Sequence, residues 1–465
     1  MTFKRWLPLI ACSIGTFLLL MHTTAATVSV TVIQRDLHAG FAQGQWVING
    51  FSLAVGALVL AAGAGGDAVG HRRVFVCGMA LFGAATAVCA VAPDAGVLIA
   101  ARIAQGTGGA ALLASMIPLL VHSYSGRRRQ TALATWSVCS ALGGTVGTLG
   151  SGVFAHPGMW RLLFAGSVPL AIAAVLVAFF VSAGGEPGSG ERSRLDFAGT
   201  ALTVALMGSA TFTLTAAGEF GIASAPTVAA TVATVAACAG LVATERRVAN
   251  PALPPALFRR RGFVGTITTS FAYYFAAFGP LPAIAAWLVH TGEGAATAAV
   301  FLATQQVSFI LAAAFVRVPE RRHTAALALS LGAIALGVSA GALIVDAGLP
   351  APLIVGPLLM SGAGAGLATP ILPHRATEAA APALSGAAAG TMNAARQFGL
   401  AAGVAGCGAV AQALTGGTGT SGALVLAAVV GIAGLALLRV LRDVPSKPHP
   451  EAYVQATVTR TSERE

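Results

Sequence analysis

Fourteen stretches of this chain stay apolar for about 20 residues or more, the length a helix needs to cross the hydrocarbon layer of a bilayer. They fall near 6 to 33, 46 to 66, 74 to 92, 97 to 121, 131 to 155, 161 to 183, 196 to 217, 224 to 244, 262 to 289, 295 to 316, 324 to 345, 350 to 372, 386 to 413 and 421 to 440. Inside lipid, backbone amides find no water, so a run of this kind must satisfy its own hydrogen bonds as a helix. Composition agrees. With 465 residues, 56% hydrophobic and 9% charged, the chain has too little polar surface to cover a soluble globule. The expected fold class is all-α integral membrane, with 14 transmembrane helices.

The charges carry topology. A formal charge of +11 raises the possibility of nucleic acid, but the basic residues lie in short clusters between apolar runs and not along one face, which excludes that partner. Of the 27 basic residues, 23 occupy alternate connections or the two tails, among them Lys4, Arg5, Arg72, Arg73, Arg127 to Arg129, Arg192, Arg194, Arg246, Arg247 and Arg259 to Arg261. Such a bias predicts a multi-pass protein of the cell membrane with both termini in the cytoplasm. Lys4 and Arg5 precede an apolar run too long for a signal peptide, so the run reads as the first span. The six cysteines all lie in apolar segments and lack C-x-x-C spacing, so no metal or cofactor is expected from them.

Two linkers divide the chain. Gly184 to Arg194 is rich in Gly, Pro, Ser and charge, and Arg246 to Arg261 is basic and rich in Pro. The layout is six helices (1–183), linkers with an inserted pair (184–261), six more helices (262–442), and a disordered cytoplasmic tail (443–465). Asp196 is placed to cap the seventh helix.

Between the second and third runs, Gly63-Ala-Gly-Gly-Asp67-Ala-Val-Gly70-His71-Arg72-Arg73 forms a polar turn, in which Gly63 should end one helix and Gly70 can take a positive φ. The spacing Gly63-x-x-x-Asp67-x-x-Gly70-x-Arg72-Arg73 resembles the signature loop between helices 2 and 3 of the major facilitator superfamily, with Ala68 and His71 at positions usually basic. The resemblance implies two six-helix halves rocking about a central site. An inserted pair of helices is similar to the fourteen-helix drug:proton antiporter branch. Asp67, Arg72 and Arg73 would then lock and release the cytoplasmic side.

Further motifs extend the resemblance. In the first run, Met21-His22-Thr23-Thr24 through Gln34-Arg35-Asp36-Leu37 is similar to the branch's first-helix motif, with His22 in place of an acid and Thr31 in place of a proline. An imidazole titrates near neutrality, so His22 is a candidate proton-responsive cavity residue, or else a neutral packing histidine. In the fourth run, Arg102 followed by Gln105 and Gly106 resembles the family's Arg-x-x-Gln-Gly motif, which implies a proton-relay or coupling role for Arg102. A snorkelling or carbonyl-bonded structural arginine is the alternative.

The fifth run carries Gly143, Gly147 and Ser151 at four-residue spacing, with Gly152, a smooth ridge for close helix packing. It resembles the antiporter motif with Thr148 in place of proline, which implies export. In the thirteenth run Asn393, Arg396 and Gln397 share one helix face and should look into the cavity, while Gln305 and Gln306 of the tenth either join them or serve interhelix hydrogen bonds. Tyr273 and Tyr274 of the ninth run either stack on a planar substrate or pack, and Gly279, Pro280 and Pro282 should break that helix.

Only Asp67 and Asp196, both at span ends, bring a carboxylate near the membrane interior. Interior charges are Arg102, Arg396 and a protonated His22, so the expected substrates are neutral or anionic amphiphiles. The resulting expectation is a proton-coupled, alternating-access efflux transporter for small drug-like or antibiotic-like molecules. It would act as a monomer in the lipid bilayer, with protons and a small-molecule substrate as partners. An importer or uncoupled facilitator for a metabolite is the alternative. No H-E-x-x-H, P-loop or interior His/Asp/Glu cluster suggests an enzyme. Ala, Gly and Arg richness with two lysines suggests a GC-rich bacterial source.

Overall fold

The computed structural model of the protein describes residues 6–180, 196–248, 251, 253–380, 384–414 and 418–440, and the secondary structure of those residues is helical throughout. The linker expected over Gly184 to Arg194, the tail from 443, and Lys4, Arg5, Arg192 and Arg194 lie outside the described residues. The first half contains α1 (Leu7–Thr24), α2 (Val30–Asp36), α3 (Phe41–Val69), α4 (His71–Val91), α5 (Ala95–Ser123), α6 (Gly126–Val153), α7 (Trp160–Ala165) and α8 (Val168–Phe179). There follow α9 (Phe197–Phe220) and α10 (Ala225–Glu245), then the short α11 (Pro255–Phe258). The second half contains α12 (Arg261–Phe278), α13 (Leu281–His290), α14 (Ala295–Phe315), α15 (His323–Asp346), α16 (Val355–Glu378), α17 (Ser385–Ala413) and α18 (Thr418–Val440).

Among the described residues, thirteen helical segments are long and apolar enough to cross a membrane, one fewer than expected. The difference is α17. Its 29 residues rise about 43 Å, ample for a span, but Thr391, Asn393, Arg396, Gln397 and Gln412 dilute its apolar character.

Local chemistry explains where the helices start and stop. Asp196 caps α9 as expected, its Oδ1 accepting from the Gly199 amide at 2.7 Å. The ninth run breaks at Gly279 and Pro280, between α12 and α13. Gly63, however, does not end a helix: α3 continues to Val69 and stops at Gly70, whose φ of 95° suits a residue without Cβ. An alanine at Gly63 would meet nothing, so that glycine interrupts neither packing nor helix. The first run also divides into α1 and α2, with no proline nearby. There Ser151 Oγ of α6 accepts from the Val28 and Ser29 amides at 2.9 and 3.0 Å, satisfying donors that a continuous helix would have paired internally.

The two halves repeat one packing scheme. In the first, α1 packs on α6 while α3 and α4 flank α5; in the second, α12 packs on α17 while α14 and α15 flank α16. Phe51, Phe75, Met79, Phe82 and Met116 fill the first core, and Phe263, Tyr273, Leu327, Ile334 and Leu372 belong to the second. The halves meet along two seams, α3 with α17 and α6 with α14, and α9 lies across the first seam against both partners. Met207 of α9 packs there with Leu53, Ala57 and Ala401. Outer faces such as Val228, Val232 and Val235 of α10 are exposed and apolar, which suits contact with lipid tails.

Candidate transport site

Arg102 is fully buried, and the hydrogen-bond network around it joins α1, α3, α4 and α5. Its Nε donates to the Val47 carbonyl of α3 at 2.9 Å, Nη1 to Gln105 Oε1 at 2.7 Å, and Nη2 to the His22 carbonyl of α1 at 3.0 Å. Gln105 passes the chain on, its Nε2 donating to Thr86 Oγ1 of α4 at 2.7 Å. The guanidinium also sits 4.5 Å from the Phe51 ring centroid. No carboxylate takes part. Planar, delocalised and weakly hydrated, a guanidinium spreads its charge over several carbonyl dipoles where an ammonium would not.

This arrangement relocates two residues expected at the cavity. Gln105 is fully buried inside the Arg102 network. His22 is likewise buried, with Nε2 2.8 Å from Ser167 Oγ, its ring stacked on Phe164 and set edge-on to Phe82. The structure thus places His22 in the first half's interior, the surroundings of a packing histidine.

At the turn between α3 and α4, Asp67 lies 3.2 Å from His71 Nε2 and not beside Arg72 or Arg73. Arg72 instead donates to the carbonyls of Ala178 and Phe179, tying the start of α4 to the end of α8, while Arg73 is exposed. The glycine ridge of α6 faces α1: a Cβ at Gly143 would collide with the Phe17 carbonyl, and one at Gly147 with that of Met21. Gly152 serves the seam, where a Cβ would strike Ala299 of α14. Helix α6 runs unbroken through Thr148, the position of the family's proline.

Asn393, Arg396 and Gln397 come together half-buried on α17. Arg396 Nη2 donates to the Tyr274 hydroxyl at 2.6 Å, and the guanidinium lies 4.6 Å from that ring's centroid and 5.8 Å from Tyr273's. Gln397 lies at the seam, where a Cβ at Gly56 of α3 would run into it. Gln305 bonds to the Ala277 carbonyl at 2.7 Å inside the second half, whereas Gln306 looks across the other seam toward Gly144. Neither Arg102 nor Arg396 is in an ion pair among the described residues.

A cavity of about 590 Å³ opens at the other end of the α3 and α17 seam from Asp67, between α2, α3, α13 and α17. The residues missed by sequence reasoning cluster there and just beneath it: Gln45, Asn49 and Ser52 are buried, spaced i, i+4 and i+7 on one face of α3. That polar stripe in an apolar run was the available signal. Also missed was the joint between Asp36 Oδ2 and both Trp160 Nε1 at 2.8 Å and Arg161 Nη1 at 2.6 Å. These bonds, Trp160's foremost, hold the Asp36 carboxyl below its ordinary range.

Two helical halves with the same internal packing, small-residue seams and a cavity between them are the architecture of a two-bundle membrane transporter. The chain belongs to the Major Facilitator Superfamily, whose family model matches residues 12–404. It is 29% identical over 407 residues to a methylenomycin A resistance protein of Streptomyces coelicolor, covering 86% of this chain and 84% of that relative. A cephamycin export protein, CmcT, of Amycolatopsis lactamdurans is 32% identical over 425 residues, covering 89% of this chain and 85% of the relative. In fold it is similar to the POT family transporter PepTSo, with a TM-score of 0.65 at 14% identity over 95% of this chain and 98% of that one.

Proposed function

We propose that this protein exports small amphiphilic, antibiotic-like molecules, neutral or anionic, by proton-coupled alternating access, as a monomer with both termini in the cytoplasm. Family membership and bacterial relatives bearing resistance and export names support the drug-efflux part. The observation that carries the substrate class is Arg396: a half-buried cation at the seam, held by Tyr274 and flanked by Asn393 and Gln397, with no carboxylate partner. A cation in that setting attracts an anionic or strongly polar end and repels a fixed positive charge, while the half-buried Tyr274 ring takes an apolar body. A carboxylate for cationic drugs is missing from this group among the described residues.

In this mechanism the seams part alternately on either side of Arg396, and α17, which taken as a span brings the total to fourteen, moves with the second half. Asp67 and His71 sit where the turn must shift against its neighbours, so they are the proposed gating pair, with Arg72 as the anchor to α8. No covalent chemistry is required of the protein. The coupling test uses everted membrane vesicles: an imposed pH gradient, acid inside, should drive uptake of an exported compound, and a protonophore should stop it. Uptake indifferent to the gradient would contradict proton coupling.

A further inference from the structure

The 590 Å³ cavity is chemically unlike the surroundings of Arg396. Its wall comes from both halves, through Thr31, Gln34, Gln45, Trp287, Gly408 and Gln412 among others, and among the described residues contains no Asp, Glu, Lys or Arg. Twelve residues of α17 separate Arg396 from Gly408, about 18 Å along a helix, so the two places are distinct. Among the described residues His290 is the one titratable group in the wall, and its Nδ1 is engaged by the Ala286 carbonyl at 2.8 Å.

Two side chains give the cavity a recognisable preference. Gln45 is 8% exposed, and its Oε1 has no hydrogen-bond partner among the described residues. Its amide is laid over Gly408, where any Cβ would collide with Nε2, so the carboxamide sits at the seam. A buried acceptor left unpaired is destabilising, and a ligand N–H or O–H that reached it would recover that cost. Trp287, 9% exposed, supplies an indole to the same wall, the kind of surface on which an aromatic plane stacks. The volume falls within the range of drug-sized ligand sites, and the uncharged lining penalises an ion that enters without a partner.

We propose that this cavity is an outer binding site for uncharged, planar amphiphiles carrying an amide or hydroxyl donor, occupied by exported molecules after they leave Arg396. This rests on the export reading above. It also names what a neutral substrate meets on its way out: Gln45 for its donor and Trp287 for its ring.

The probe is chloramphenicol, an uncharged nitroaromatic with amide and hydroxyl donors whose nitro group quenches indole fluorescence. Titrated into the purified full chain in lipid nanodiscs, it should quench tryptophan emission saturably, equally in wild type and in Trp136→Phe. Most of the amplitude should vanish in Trp287→Phe, and Gln45→Leu should weaken the apparent Kd about fivefold, the loss of one hydrogen bond. If Gln45→Leu does not fold, Gly408→Ala, which displaces the same amide, is read in its place. Quenching that never saturates, or that is unchanged in both Trp287→Phe and the amide variant, overturns the site. Chloramphenicol accumulation in cells separates this from the export reading. Exclusion by wild type with quenching unmoved by the variants sinks the outer site alone, whereas saturable, variant-sensitive quenching without exclusion sinks the export reading and leaves the site.

Discussion

Arg102 Nη1 donates to Gln105 Oε1 at 2.7 Å, so the two polar residues of the Arg-x-x-Gln-Gly motif bond to each other one turn apart on α5, inside the first half. Together with the Val47 and His22 carbonyls, this ties α5 to α3 and α1. Removing the guanidinium leaves several buried acceptors unpaired. Arg102→Ala should lower stability by about 3 kcal/mol, on the scale of bonds to charged groups, and Arg102→Lys should recover only part because an ammonium cannot reach three divergent acceptors. Thermal unfolding of the detergent-solubilised variants measures both; a lysine variant as stable as wild type would contradict the fork geometry.

The break between α1 and α2 depends on one hydroxyl. Ser151→Ala leaves the Val28 and Ser29 amides without their acceptor, at a cost of about 1 kcal/mol typical of a lost cap. Ser151→Thr keeps the oxygen and should be milder. Hydrogen exchange at the two amides, faster in the alanine variant than in the threonine variant, is the expected readout.

Asp36 gives a pH dependence with a definite sign. Because Trp160 and Arg161 hold its carboxyl below the ordinary 3.8, the charged form stabilises the fold at all pH values above that. The contribution is lost as pH falls through the depressed folded value. The stability difference between wild type and Asp36→Asn should therefore be constant from about pH 5 to 8, above the ordinary carboxylate value of about 4, and shrink only in more acid solution. A difference that already collapses between pH 7 and 6 would point to another group.

Asp67 is 70% exposed and its contact is with His71, so Asp67→Ala should leave thermal stability within about 0.5 kcal/mol of wild type while abolishing drug exclusion. Loss of stability in step with loss of transport would instead make the residue structural.

The helices were legible in the sequence because a bilayer permits so few solutions: length, hydropathy and the spread of basic residues mark the spans, and Asp196 and Gly279-Pro280 mark two of their ends. Chemistry between distant segments was not legible. Nothing near residue 25 predicts a break that Ser151 imposes from α6, and Gly63 resembles a helix stop although Gly70 performs that task. His22 and Gln105 look alike in sequence to cavity residues, since a polar side chain in an apolar run faces something polar in either case. Only the packing shows that for these two it is Ser167, Arg102 and Thr86, while for Arg396 it is Tyr274 at the seam. Gln45 could have been suspected from its spacing with Asn49 and Ser52, yet the unpaired oxygen over Gly408 needed the fold.

Arg396, an interior cation at the seam, is the residue proposed to select what the protein exports. The most direct test of that role is cellular accumulation of matched cationic, neutral and anionic amphiphiles in an efflux-deficient host carrying wild type, Arg396→Gln, Arg396→Lys or no transporter. Wild type should exclude neutral and anionic members and spare permanent cations. Arg396→Gln should lose the anions by about tenfold or more, the scale of one charge-assisted bond, while Arg396→Lys retains part of that exclusion. Saturable exclusion of permanent cations by wild type, or anion exclusion untouched in Arg396→Gln, would contradict the account.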